Sequence, residues 1–188
     1  LTGFQYGAIH TFTEKEITSC DVFEEIAPIG DSLPISTLNF SILGFPLDFN
    51  FEKAQRLYVY FDKQIVGDFY LKTATRNNKT EYSMQAENII SLLEGREHKG
   101  GFYDSADVEA VIKNEIFAGL DVKVDTSKIK GQTITGWLPY DTSRNNLAQI
   151  CFALGCIVDT SFETGVFIYP YDESQKPAEL PDDLIYAN

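Results

Sequence analysis

Apolar and polar residues alternate along much of the first half of the chain, and a period of two confines those segments to pleated, half-buried strands. The run LYVYF at 57–61 sets Leu57, Val59 and Phe61 on one face and Tyr58 and Tyr60 on the other. After Asp62, Lys63 and Gln64 the alternation resumes through Ile65, Gly67, Phe69 and Leu71. Period two on both sides of a short polar break predicts a hairpin. A second hairpin is expected across Arg76, Asn77, Asn78 and Lys79, because Asn tolerates the left-handed backbone of a tight turn. Its return strand, TEYSMQA, carries Tyr82 and Met84 on one face. Upstream, STLNFSIL at 36–43 alternates through Leu38, Phe40 and Ile42. Such a meander predicts a barrel-like antiparallel β domain over residues 1–95, with a short helix or turn, NIISLLEG, at its end.

The period then changes. Val108, Val111, Ile112 and Ile116 fall at i, i+3, i+4 and i+8, with Asp104, Asp107 and Glu109 at the positive end of the dipole and Gly119 near the stop. A helix over 105–119 is expected. A second is expected over 143–154, capped by Thr142 or Ser143, carrying Leu147, Ile150, Cys151 and Leu154, and stopped at Gly155. Strand-like segments at 132–136, 156–159 and 165–171 flank these helices, so residues 96–172 are expected to form a smaller α/β domain with two helices. Residues 173–188 shift to Glu, Ser, Gln, Lys and Pro and read as a linker or a strand awaiting a partner. The fold class is α+β and β-rich.

Composition excludes several functions. The net charge of −13 argues against specific nucleic-acid binding, which depends on Lys and Arg releasing counterions from phosphates. No apolar run approaches the roughly 18 residues of a bilayer span, so no membrane insertion is expected. Cys20, Cys151 and Cys156 read as core thiols in a protein folded in a reducing cytoplasm rather than as a disulfide framework. Phosphate-binding, hydrolase and zinc-protease spacings are absent, and no catalytic, metal or cofactor residue is assigned; the chain is not expected to be an enzyme. His98, in the charged stretch EGREHKGG, reads as a solvated surface residue, and His10 as an outward strand position. Trp137, with Pro139 and Tyr140 in GWLPYD, stands directly before a capped helix and reads as a core or interface plug in preference to a sugar-stacking platform.

Taken in order, LPISTLNFSIL at 33–43, FEKAQRLYVYFDKQIVGDFYLKT at 51–73, YSMQAENIISLLE at 82–94, GGFY at 100–103, ITGWLPYDTSRNNLAQICFALGCIVDTS at 134–161 and the adjoining GVFIYP carry a resemblance over nearly the whole chain. The chain resembles the N-terminal part of tail hub proteins of phages and prophages of Gram-positive hosts. That resemblance implies a structural protein of the virion tail tip, assembled in the host cytoplasm as a ring that continues the tail tube. Its implied partners are further copies of itself and other tail proteins, whether tube, spike or lytic module. It also makes GWLPYDTSRNN the turn that sets a structural helix against a sheet, with Arg144 available to a carboxylate within or between subunits. A carbohydrate- or receptor-binding module at the tail tip and the hub of a contractile injection system are the alternatives. The excess of acid then serves either solubility or a channel wall that repels passing DNA.

Overall fold

The computed structural model describes residues 2–5, 8–25, 32–44, 52–61, 63–161 and 164–172, with side chains described from His10 onward. The segment 173–188, expected to be a linker or an unpaired strand, lies outside the described residues.

Seven strands come first: β1 (Thr2–Gln5), β2 (Ala8–Thr11), β3 (Ile17–Phe23), β4 (Thr37–Leu43), β5 (Arg56–Phe61), β6 (Gln64–Arg76) and β7 (Glu81–Glu87). They form one antiparallel sheet in the order β2-β1-β5-β6-β7-β4-β3. The sheet curls into a half-barrel whose ends are β2 and β3. Both expected hairpins are present, β5 with β6 and β6 with β7. The alternation decides which face is buried: Leu38, Phe40 and Ile42 of β4 meet Leu57, Val59, Phe69, Met84 and Ala86 in one cluster. Phe61 departs from the pattern. A bulge between Val59 and Tyr60 shifts the register, and an inserted residue turns the end of the strand off the buried face. Phe61 is therefore 76% exposed.

The second half holds α1 (Ile90–Glu94), β8 (Glu97–His98), β9 (Gly101–Asp107), α2 (Val108–Val111), β10 (Val124–Asp125), β11 (Thr133–Leu138), β12 (Asp141–Thr142), α3 (Ser143–Leu154), β13 (Cys156–Asp159) and β14 (Val166–Pro170). Three small sheets result: β10-β14-β13, β11-β9 and β12-β8. Their common core takes Ile90 and Leu93 from α1, Val108 and Val111 from α2, Leu147 and Ile150 from α3, and Val166 and Ile168 from β14.

The helix expected over 105–119 is shorter and differently wound. Residues 101–107 pair with β11 as a strand, and the helix starts only after Asp107, whose carboxylate accepts the Glu109 backbone N–H at 3.0 Å. Beyond Val111 the chain widens into a π turn over Ile112–Ile116, closed by the Phe117 N–H to the Ile112 carbonyl at 3.0 Å. The apolar spacing is satisfied all the same, because Val108, Val111, Ile112, Ile116 and Phe117 are all buried. The helix over 143–154 forms as expected. The Thr142 hydroxyl accepts the Asn145 N–H at 3.1 Å, and Gly155 closes the helix in the left-handed region at φ 62°.

A buried ion pair fastens the first sheet internally and to the second half. The Arg56 guanidinium grips Asp68 through Nε at 3.0 Å and Nη2 at 2.6 Å, lies over the rings of Tyr58 and Tyr70, and donates from Nη1 to the Asp121 carbonyl at 3.3 Å. Asp68 is buried, so removal of its partner leaves a charge without compensation. Arg56→Met is expected to destabilise the protein by about 3–5 kcal/mol in chemical denaturation. Arg56→Lys is expected to recover only part of that, because an ammonium cannot fork across both carboxylate oxygens. Two variants as stable as the wild type would remove the pair from the account of the fold.

Candidate functional site

The turn GWLPYD is bound to the second half by a small polar knot. Asp141 of β12 pairs with His98 of β8, which draws the histidine beneath α3. There the Asn146 side-chain amide, on the buried face of α3, donates to His98 Nδ1 at 2.7 Å and to the Pro139 carbonyl at 3.0 Å. The Gly100 N–H also reaches Nδ1, at 3.3 Å. Two donors converging on Nδ1 assign the ring proton to Nε2, which faces the Glu115 carboxylate at 3.3 Å. The Tyr103 hydroxyl donates to the same carboxylate at 2.6 Å. Burial, and after it this bond to Glu115, pushes the Tyr103 phenol up to about 12.

His98 is thus not the solvated residue that its charged neighbours suggest; it is 6% exposed. The local sequence is hydrophilic, but the β8–β12 pairing and the Asn146 amide give the ring both a buried place and hydrogen-bond partners. Gly100 beside it is required sterically. Its φ is +63°, and a Cβ there would lie 2.2 and 2.3 Å from the carbonyl oxygens of Leu138 and Pro139. His10 is half-buried, next to Glu16 at 3.3 Å and edge-on to Phe12.

The four residues singled out in the sequence separate here. Pro139 belongs to the knot through its carbonyl. Arg144 points the other way: its Nε donates to the Leu33 carbonyl at 2.9 Å, Nη2 reaches the same oxygen, and Nη1 meets Glu94 at 2.7 Å. Its carboxylate partner is therefore within the chain. Tyr140 is exposed, and a hydrogen bond to Glu97 raises its phenol above the ordinary value. Trp137 is 68% exposed and lies outside the core. It stands directly across from Phe102 in the β11–β9 pair, and Phe102 is 70% exposed. A shallow groove between β11 and α3 runs beside the pair, lined by Tyr103, Ile134, Trp137 and Gln149. Among the described residues no group of three His, Cys, Asp or Glu side chains is placed to hold a metal ion.

Sequence reasoning missed His98, Gly100, Glu115 and Asn146. The one available signal was the Gly100–Gly101 pair set ahead of a strand, since a glycine doublet marks unusual backbone or close approach. Of the three thiols, Cys151 and Cys156 are buried, and burial pushes Cys151 up to about 12. Cys20 is exposed, contrary to expectation, because it lies on the strand at the end of the sheet, six of whose seven residues are exposed.

No protein-family model matches the chain. No curated protein matches it either. Solved structures do. A tail protein of prophage MuSo2 from Shewanella oneidensis superposes with a TM-score of 0.63 at 9% identity, over 93% of this chain and 56% of the other. A prophage tail protein of Listeria monocytogenes EGD-e superposes with a TM-score of 0.55 at 12% identity, over 87% and 47%. The chain has the fold of prophage tail proteins. It is also similar to a component of the Escherichia coli type VI secretion system, itself described as similar in structure to the T4 tail proteins gp27 and gp5, with a TM-score of 0.53 at 9% identity over 86% and 50%. The chain spans about half the length of the structures it matches.

Within this tail-protein fold the knot predicts specific losses. Asn146→Ala strips a donor from both His98 and the Pro139 carbonyl and is expected to cost about 2 kcal/mol or more in chemical denaturation. Gly100→Ala is expected to cost more, because two backbone oxygens must move. Tyr103 holds its proton to about 12 in the fold against an ordinary 10.0. Its contribution to stability is therefore full below pH 10.0 and is lost as the pH rises to about 12. Tyr103→Phe is expected to flatten that alkaline decline, and an unchanged profile would contradict the assignment. A thiol reagent is expected to modify Cys20 in the native protein, and Cys151 and Cys156 only after unfolding.

Proposed function

We propose that the chain is a structural, non-enzymatic component of a phage or prophage tail tip, a hub-like protein that self-associates into a ring continuing the tail tube. In this reading it assembles in the host cytoplasm and contacts other tail proteins, whether tube, spike or lytic module. The likeness of fold to prophage tail proteins motivates the reading, and the edge strand β3 carries it. Six of the seven β3 residues are exposed, Phe23 by 63%, and among the described residues β3 pairs with β4 alone. A strand uncovered on both faces and unpaired along one edge is a template for another chain. The opposite end of the sheet, β2, offers the complementary edge. Joining β3 of one copy to β2 of the next is a heterologous contact, and such contacts close into rings when the rotation allows.

The acidity fits this reading. In the assembled ring, carboxylates are expected to outnumber Lys and Arg on the wall of the central channel, because a basic wall would hold DNA by counterion release. A structure of the assembly with a neutral or basic wall would leave solubility as the purpose of the charge.

The Trp137–Phe102 pair favours one second reading, a carbohydrate- or receptor-binding module at the tail tip. An exposed aromatic platform beside Gln149 suits stacking on an apolar sugar face. A glycan array separates the two: binding lost in Trp137→Ala favours the module.

For the ring, native mass measurement and electron microscopy are the test. Val22→Lys with Phe23→Lys is expected to abolish rings while leaving the melting temperature within a few degrees, since both side chains lie outside the cores. A wild-type chain that stays monomeric at millimolar concentration counts against a ring.

A further inference from the structure

The two ends of the first sheet carry opposite charge. At one end, the β6–β7 hairpin projects: residues 72–80 are all exposed. Over residues 69–81 the chain has three cations, Lys72, Arg76 and Lys79, against one acid, Glu81, whose carboxylate accepts the Asn78 side-chain amide at 2.9 Å, within a protein of net charge −13. Lys72 is neutralised by Glu87 at 2.5 Å, and Arg76 is held over Tyr82 and against the turn carbonyls of Asn78 and Lys79. Arg76 thereby stiffens the turn. Lys79 stands at its tip, with no ion-pair partner among the described residues.

At the other end is a groove of about 150 Å³ between the end of β3, the chain entering β4, and β13. Leu33, Pro34 and Val158 give it an apolar floor, and Glu24, Glu25 and Asp159 give it three carboxylates, with no cation among the lining residues. Partial burial and the nearby Asp159 charge raise the Glu24 carboxyl above its ordinary value, the mark of an acid lacking a counter-charge.

The strand β4 sets the distance between the two features. Ser36, just before it, lines the groove, and Gly44, just after it, donates its N–H to the Thr80 carbonyl of the hairpin turn at 2.7 Å. Eight residues of extended chain span about 26 Å. The hairpin of one molecule cannot reach its own groove, but it can reach another's.

We propose that this hairpin is a docking arm that enters the groove of a second copy of the chain, so that copies associate head to tail with Lys79 set among Glu24, Glu25 and Asp159. The contact rests on the self-association proposed above and adds to it a direction along the strands, distinct from the lateral β3 edge. The lysine stem suits the apolar floor and its ammonium the acidic rim. Opposite charge at the two ends also disfavours tip-to-tip and groove-to-groove pairing.

Two variants test the arm by sedimentation at low and physiological salt: Glu24→Lys with Glu25→Lys, and Lys79→Glu. All three positions are exposed and outside both cores. Each variant alone is expected to associate more weakly than the wild type, on the order of tenfold or more, with the wild-type association falling as salt rises. An equimolar mixture is expected to restore association, because every groove again faces a tip of opposite sign. Recovery in the mixture also demonstrates that both variants are folded. Variants that associate like the wild type, or a mixture as weak as its parts, overturn the arm and leave the β3 edge standing. A wild-type chain that remains monomeric overturns both.

Discussion

The structure depends on a sheet that gathers a core on one face and, among the described residues, stays open. Leu38, Phe40 and Ile42 on β4, Phe69 and Leu71 on β6, and Met84 and Ala86 on β7 gather on the concave side, and removing apolar area of that kind from water is worth about 25 cal/mol per Å². Because side chains alternate between the bulges, a slip of one residue would turn this set off the core face, so the same burial that stabilises the sheet also fixes its register. Seven strands leave two ends, however, and nothing in the described chain pairs with the outer edge of β3. An open edge of that length is normally disfavoured in a monomer. The ring contact proposed above would cover it.

The second half is held by different means. Around the GWLPYD turn its strands are short, and the β8–β12 pair joins only two residues on each side. Sheet pairing on that scale cannot position a turn, and buried polar groups do so instead. Asn146 serves two acceptors with one amide, and Gly100 admits the backbone oxygens of Leu138 and Pro139 into the space of a side chain. Arg144 and Arg56 then tie this half to the first through carbonyls of the opposite part, Leu33 in one case and Asp121 in the other. Arginine suits both places because its planar fork satisfies a carboxylate and a carbonyl at once.

The range of the forces involved decides how much of this fold is legible in the sequence. Period-two alternation and capping are local, so β4, both hairpins and α3 with its Thr142 and Gly155 caps can be read residue by residue. The strand at 101–107 cannot, because its pairing partner is β11, thirty residues away, and its acids at 104 and 107 mimic a helix start. Asp107 is in fact the cap, and the first turn lies after it rather than before. The knot is illegible for the same reason. His98, Glu115 and Asn146 lie far apart in the chain, and no spacing rule joins them. Trp137 illustrates a further limit: its place next to a capped helix is evident, but which face of β11 it occupies is set by pairing with Phe102.

The two contacts proposed for assembly divide the work in a way that each alone could not accomplish. Edge pairing supplies many backbone hydrogen bonds but little polarity, since a strand edge accepts neighbours in more than one register and, in principle, either direction. Charge adds little net affinity at an exposed surface, yet it discriminates strongly between correct and incorrect neighbours. A hairpin bearing an unpaired lysine at one end of the sheet and three carboxylates at the other would therefore select the orientation in which β3 meets its neighbour, at a small cost in stability to the isolated chain. The Glu24 carboxyl, raised by partial burial and by the Asp159 charge, bears that cost before assembly. In the tail assembly proposed above every subunit points the same way along the tube, and there direction matters more than affinity.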